Sequence, residues 1–200
     1  MSVEQFTAAL GVLYPISNDY RSFLETEGVV VRKTIRKNDM LLMPGLDTGR
    51  LIYLPSGSCK IYWLDGDNEE HIFMFLESGS FLVIPDDFCI GQRNGDLYIK
   101  MIADSEVMMI GADQMREVYS RFPEAFVHVR MIEKGLFALR DKHLLMLMKK
   151  VHERYGYFVR EFHYVYRMAL TERELCRFLN ICRKTLSVGK TNWLLKDRRR

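Results

Sequence analysis

The sequence has no long apolar run. Its longest uninterrupted stretches, such as Leu144–Met148, fall far short of the roughly 20 residues that a membrane-spanning helix requires, and no cleavable signal opens the chain. A soluble, cytoplasmic protein without a membrane partner is expected. Cysteine is scarce: Cys59, Cys89, Cys176 and Cys182 are scattered without a CxxC pair, so neither a zinc ribbon nor a disulfide framework is indicated, and inert buried thiols are expected. Five prolines, and thirteen glycines in no period, exclude disorder and collagen-like structure. Histidine is sparse where a metal enzyme on a cupin-like barrel would need it. His71 stands alone before His128, and such sites cluster several histidines with a carboxylate. No metal, cofactor or enzymatic activity is therefore expected.

What is present suffices for a core: 200 residues, 48% of them hydrophobic, with room for one or two domains. The net charge of +3 conceals a division. Residues 1–168 carry 20 lysines and arginines against 23 carboxylates, net −3, whereas residues 169–200 carry nine against three, net +6. A basic end on an acidic body suggests a module that reaches an anionic partner, the alternative being a solvated basic tail.

From Val29 to Val107 the chain reads as short strands broken by turns, and Val107–Ile110 repeats the pattern. Cys59–Trp63 and His71–Leu76 flank the cluster Asp65-Gly66-Asp67-Asn68, the sequence form of a hairpin. Strands at roughly 10-residue spacing without intervening helices predict an antiparallel barrel or jelly roll. After Gly111 the apolar period lengthens to about 3.6. Asp113 can cap a short helix through Arg121, and Pro123 suits the start of the next. Phe126, Val129, Ile132, Leu136 and Leu139 then recur every three or four residues on one narrow stripe. Such a stripe predicts a two-helix seam in a homodimer; the alternative is a stripe packed on its own barrel. Gly135, about 1 kcal/mol worse than alanine in a helix, suits a close approach of two backbones there. A second amphipathic helix is predicted over 141–155, ended by Gly156.

The segment 170–187 holds the clearest motif. Thr171 can cap a helix that buries Leu175, Cys176 and Leu179 and carries Glu172 and Glu174 in its first turn. Asn180 tolerates the left-handed geometry of a tight turn, Ile181 plugs the gap, and a second helix is predicted to start near Cys182 with Leu186 inward. This is the pattern of a helix-turn-helix that reads double-stranded DNA. Arg183 is the candidate base reader, because a guanidinium can donate two hydrogen bonds to guanine. Thr185, Ser187, Lys184, Lys190 and Thr171 are candidate DNA contacts, the two lysines to phosphate, and Arg198–Arg200 a nonspecific basic tail.

A barrel, a dimerisation-type helix and a helix-turn-helix in that order resemble the Crp/Fnr superfamily of bacterial transcription regulators, over residues 20–196. The likeness is carried by Gly57 and Gly79 at the barrel turns, by Ser120-Arg121-Phe122-Pro123-Glu124 before the long helix, and by Leu179-Asn180-Ile181-Cys182-Arg183-Lys184-Thr185-Leu186-Ser187. The resemblance implies an α+β fold: an N-terminal antiparallel β-barrel of the cyclic-nucleotide-binding, jelly-roll type over 1–122, a dimerisation helix over 123–141, and an all-α DNA-binding domain over 142–200. It implies a homodimer on DNA, with RNA polymerase as a candidate further partner.

The departures narrow the function. Gly79-Ser80-Phe81 runs into Leu82-Val83-Ile84-Pro85, no Arg-Ser/Thr-Ala run follows, and Arg93 reads as part of a turn. A buried phosphate without cation or amides would be strongly destabilised, so a cyclic nucleotide is not expected. The amino-terminal cysteine cluster of iron-sulfur members is also missing. Tyr62, Phe73, Phe75, Phe81 and Phe88 instead form a candidate apolar effector pocket, the alternative being a filled core. Thirteen residues follow Ser187, and Trp193, Leu194 and Leu195 read as the packed end of the last helix, so the family's wing is expected to be reduced or absent. The competing readings are a regulator acting through protein contacts and, less well supported, the cupin-like enzyme.

Overall fold

Two helices, Val3–Leu13 (α1) and Asn18–Leu24 (α2), precede the first strand and add a helical layer to the barrel expected over 1–122. The computed structural model describes residues 3–46, 50–83 and 96–197; Phe88, Cys89, Arg93 and Arg198–Arg200 lie outside that set. In α1, Phe6 and Leu10 stand one turn apart and are fully buried. The Ser17 hydroxyl caps α2 by accepting the Tyr20 N–H at 3.2 Å.

Eight strands follow among the described residues: Val31–Ile35 (β1), Met40–Leu42 (β2), Leu51–Ser56 (β3), Ser58–Leu64 (β4), Glu70–Glu77 (β5), Ser80–Val83 (β6), Tyr98–Met101 (β7) and Ser105–Ile110 (β8). They form two four-stranded antiparallel sheets, ordered β1-β8-β3-β6 and β2-β7-β4-β5, the predicted jelly roll. The β4–β5 hairpin closes through Asn68 at φ 58°. The chain crosses between sheets at Gly57 (φ +93°) and Gly79 (φ +87°), corners that need the left-handed freedom of glycine.

Three apolar layers result. Between the sheets lie Leu42, Ile52, Leu54, Ile61, Met74 and Met101 with their neighbours. Outside the first sheet, Tyr53, Val83 and Met108 pack under α1 and α2 together with Ala112–Arg121 (α3) and Glu124–Leu147 (α4). Outside the second sheet, Tyr62, Ile72 and Phe75 meet the carboxyl-terminal helices: Arg154–Glu161 (α5), His163–Tyr166 (α6), Glu172–Leu179 (α7) and Arg183–Asp197 (α8). Both faces of that sheet are covered, which explains why Ile72–Leu76 shows no alternation of apolar and polar residues.

The helices depart from expectation at several points. Gly111, not Asp113, occupies the α3 cap, and the Asp113 carboxylate pairs with Arg116 instead. Helix α4 runs on past residue 141 to Leu147, and the predicted helix over 141–155 is interrupted at 148–153. Gly156 lies inside α5 rather than ending a helix; a Cβ there would sit 3.4 Å from the Trp193 ring, so it is a close-packing glycine. Most of the predicted seam stripe packs on the chain's own core: Val129 and Ile132 are buried and Leu136 and Leu139 half-buried, while Phe126 is exposed and stacks on Tyr119 at 4.5 Å. No described helix is long and apolar enough to cross a membrane.

Candidate nucleic-acid interface

Helix α7 begins with a reciprocal cap. The Thr171 hydroxyl accepts the Glu174 N–H at 3.2 Å, while the Glu174 carboxylate accepts the Thr171 N–H at 3.0 Å. Two amides that a helix start leaves unpaired are thereby satisfied. At the other end Asn180 adopts φ 49°, ψ 57°, and the Ile181 N–H donates to the Cys176 carbonyl at 3.0 Å. The left-handed asparagine turns the chain, and α8 starts at Arg183.

Arginine 154, which sequence reasoning missed, holds this turn against α4. Its guanidinium donates to the carbonyls of Leu147 (2.8 Å), Leu179 (3.1 Å) and Asn180 (2.8 Å), and to that of Lys149 (3.2 Å). These oxygens belong to helix ends and the segments just after them, where carbonyls lack intrahelical partners and the dipole favours a cation. Two of its partners, the carbonyls of Leu179 and Asn180, are remote in sequence, so no residue pattern announces it.

A second unanticipated tie is His143, buried in α4, whose Nε2–H donates to the Phe178 carbonyl at 2.8 Å while the rings stack at 4.4 Å. Burial pushes the imidazole below its ordinary value of 6.5. With the folded value depressed, the contribution of this contact is intact above about pH 6.5 and declines as pH falls through the folded value, because the unfolded state takes the proton first. Melting temperatures should therefore fall as pH drops below about 6.5, and more steeply in the parent than in His143→Gln.

On α8, Leu186 and Gly189 face inward; a Cβ on Gly189 would stand 2.9 Å from that of Tyr155. Arg183, Lys184 and Ser187 are exposed on the outer face. Thr185 is half-buried, its hydroxyl 3.3 Å from the Cys182 sulfur. That hydroxyl and the amides of Thr185 and Lys184 draw the exposed Cys182 thiol below its usual range. Lys190 is engaged within the chain, its ammonium 2.8 Å from Glu172. Thr171 is committed to its cap. The expected contacts thus divide: Arg183, Lys184 and Ser187 are gathered on one accessible turn, whereas Thr171, Thr185 and Lys190 have intramolecular partners. Leu194 and Leu195 are 61% and 54% exposed, so the end of α8 is not packed as expected; only Trp193 tucks in.

The predicted effector aromatics do not share a cavity. Tyr62 and Phe75 face the carboxyl-terminal helices, Phe81 packs on Phe6 and Tyr53, and Phe88 lies outside the described residues. Of the four described residues, Phe73 alone borders a cavity of about 170 Å³ between the barrel and α4, with Ile61, Met74, Leu82, Leu136 and Phe137. The β4–β5 register slips beside Tyr62, which reconciles apolar residues on both sides of the strand. On the outer side of α4 another line emerges: Val127, Met131, Lys134, Ala138, Asp141 and Leu145, spaced alternately by four and three. Met131 and Leu145 are 41% and 52% exposed, and nothing lies within 4 Å of a Cβ placed on Gly135.

No family model and no curated protein matches the sequence. Solved structures do match the fold. FixK2 from Bradyrhizobium japonicum is 17% identical with a TM-score of 0.72, over 84% of this chain and 86% of that one. A transcriptional regulator of the crp/fnr family from Eubacterium rectale gives 12% and 0.72, over 90% and 85%. A CooA variant from Carboxydothermus hydrogenoformans gives 16% and 0.67, over 94% and 84%. The chain therefore has the Crp/Fnr fold, an α+β arrangement of a cyclic-nucleotide-binding-like barrel and a helical carboxyl-terminal part.

Proposed function

We infer that this chain, having the Crp/Fnr regulator fold, is a homodimeric DNA-binding transcription regulator that inserts α8 into the major groove. One observation carries the reading: Arg183, Lys184 and Ser187 stand together, exposed, on the first turns of a helix set by a left-handed asparagine and a reciprocal cap. That is the geometry by which a recognition helix presents donors to base edges and phosphates. The exposed apolar side chains Met131, Phe137, Leu144 and Leu145 of α4 support pairing with a second copy, and Gly135 leaves room for it. The cavity beside α4 suits a small uncharged effector, because its barrel walls are apolar and α4 adds only Glu133 and Arg140 as charged groups.

The test is binding to fragments selected from random DNA. Affinity should fall steeply with salt, as counterions are released from the phosphates. Arg183→Ala should cost about 1–3 kcal/mol on the preferred sequence and relax preference at one base pair, while Lys184→Ala should weaken all sequences alike and flatten the salt dependence. Equal loss of specificity from both substitutions would refute these roles. Retention of no fragment by a stable dimer would instead favour a regulator acting through protein contacts, for which Val188, Leu194 and Leu195 on α8 offer an exposed apolar surface.

A further inference from the structure

The β4–β5 hairpin brings four carboxylates, Asp65, Asp67, Glu69 and Glu70, to the edge of the barrel that faces the helix-turn-helix. Their partners lie across the junction. Glu69 pairs with the Arg177 guanidinium and stands 3.9 Å from that of Arg173, both on α7. Glu70 lies 2.8 Å from the Lys60 ammonium and 3.7 Å from Arg177. Lys60, on β4, is almost wholly buried and also reaches the Glu174 carboxylate, at 3.1 Å, so one lysine joins the barrel to the capping residue of α7. The same concavity takes in Glu69, Glu70, Arg173 and Arg183.

From this arrangement we propose that the acidic hairpin holds the helix-turn-helix in a closed position that competes with nucleic acid. The proposal rests on the DNA-binding reading. A duplex carries about one phosphate charge per 1.7 Å of its axis. Laid against the start of α8, it would bring those charges next to Glu69 and Glu70, inside the roughly 8–10 Å over which salt does not screen them. The hairpin carboxylates meanwhile occupy Arg177 and Arg173, cations that would otherwise add to the field drawing a phosphate backbone in. Docking on the hairpin and docking on DNA are thus mutually opposed, and weakening the first raises the fraction of molecules competent for the second, by as much as the same factor when the closed form dominates. The hairpin is also placed to sense the barrel, because Ile61 and Met74 on its inner face border the cavity while Lys60 and Glu70 make the clamp.

The test compares the full-length parent, the double variant Glu69→Gln with Glu70→Gln, and a charge-matched control, Asp113→Asn with Glu117→Gln, on α3. Binding to a random-sequence duplex at low salt is measured by anisotropy, and amide exchange of α7 is followed without DNA. The hairpin variant should bind about tenfold more tightly, within the 5–150-fold range usual for coupled sites, and its α7 amides should exchange faster. The control should stay within about twofold of the parent, since its carboxylates lie elsewhere. Glu69→Gln alone, removing a carboxylate 57% exposed, should give a smaller gain of the same sign without endangering the fold. Equal affinity in hairpin variant and control, or unchanged α7 exchange, would overturn the clamp and leave the DNA-binding reading standing. Failure of all the proteins to bind any duplex would remove both.

Discussion

Phe178→Ala is expected to destabilise the protein by about 4 kcal/mol, near the middle of the range for removing a buried aromatic ring. Phe178 is 1% exposed, and its ring centroid lies 5.0 Å from Phe75 of the barrel, 5.3 Å from Phe162, 6.1 Å from Phe158 and 4.4 Å from His143 of α4. Buried rings from β5, α4, α5 and the α5–α6 junction thus lose contact with one deletion. In a chain of this size the loss corresponds to about 10 °C in melting temperature, readable by calorimetry. A drop below about 1 kcal/mol would mean that the aromatic cluster is not the joint between barrel and helices.

Gly57→Ala should cost about 3 kcal/mol, by a different route. The residue has φ +93°, unfavourable for any side chain, and an added Cβ would lie 2.7 Å from the Ser105 Cα. Ser105 cannot yield: it is buried, its hydroxyl accepts the Ser58 N–H at 3.2 Å and donates to the Ala103 carbonyl at 2.8 Å. Gly79 is the internal comparison. It has nearly the same φ, +87°, but nothing within 4 Å of its Cβ position, so Gly79→Ala should cost only the conformational part, about 1 kcal/mol. Denaturant unfolding of the two variants separates steric contact from backbone strain, and equal losses would refute the collision at Gly57.

The parts of the molecule that could be read from sequence are those set by local chemistry. Thr171 and Asn180 act through their own backbone neighbourhood, so a cap and a left-handed turn are legible before any fold. Gly57 and Gly79 marked corners for the same reason. Partnership across the fold was not visible. The Phe126–Leu139 stripe identified an apolar face of α4 without saying what would cover it, and α4 has apolar residues on more than one side. The aromatic residues of β4 and β5 could not be sorted by face, because a strand buried on both sides loses its alternation. No glycine or proline marks the break at 148–153, and the glycine that follows serves helix packing. Arg154 and Lys60 acquire their junction roles through Asn180 and Glu174, groups far away along the chain.

A sensor with an interchangeable reader would keep the outside of its barrel polar, so that either half could be exchanged, lost or recombined as a cassette. Here Tyr62, Ile72 and Phe75 make that outside apolar, and Phe158, Phe162 and Phe178 are among the residues that cover it. Severed at the turn after α4, the amino-terminal half would carry an adhesive sheet into water, and the carboxyl-terminal half would lose the floor on which its aromatic cluster is built. The two halves are obligate companions: α8 can vary residue by residue, but the carboxyl-terminal half cannot be exchanged whole without uncovering this sheet.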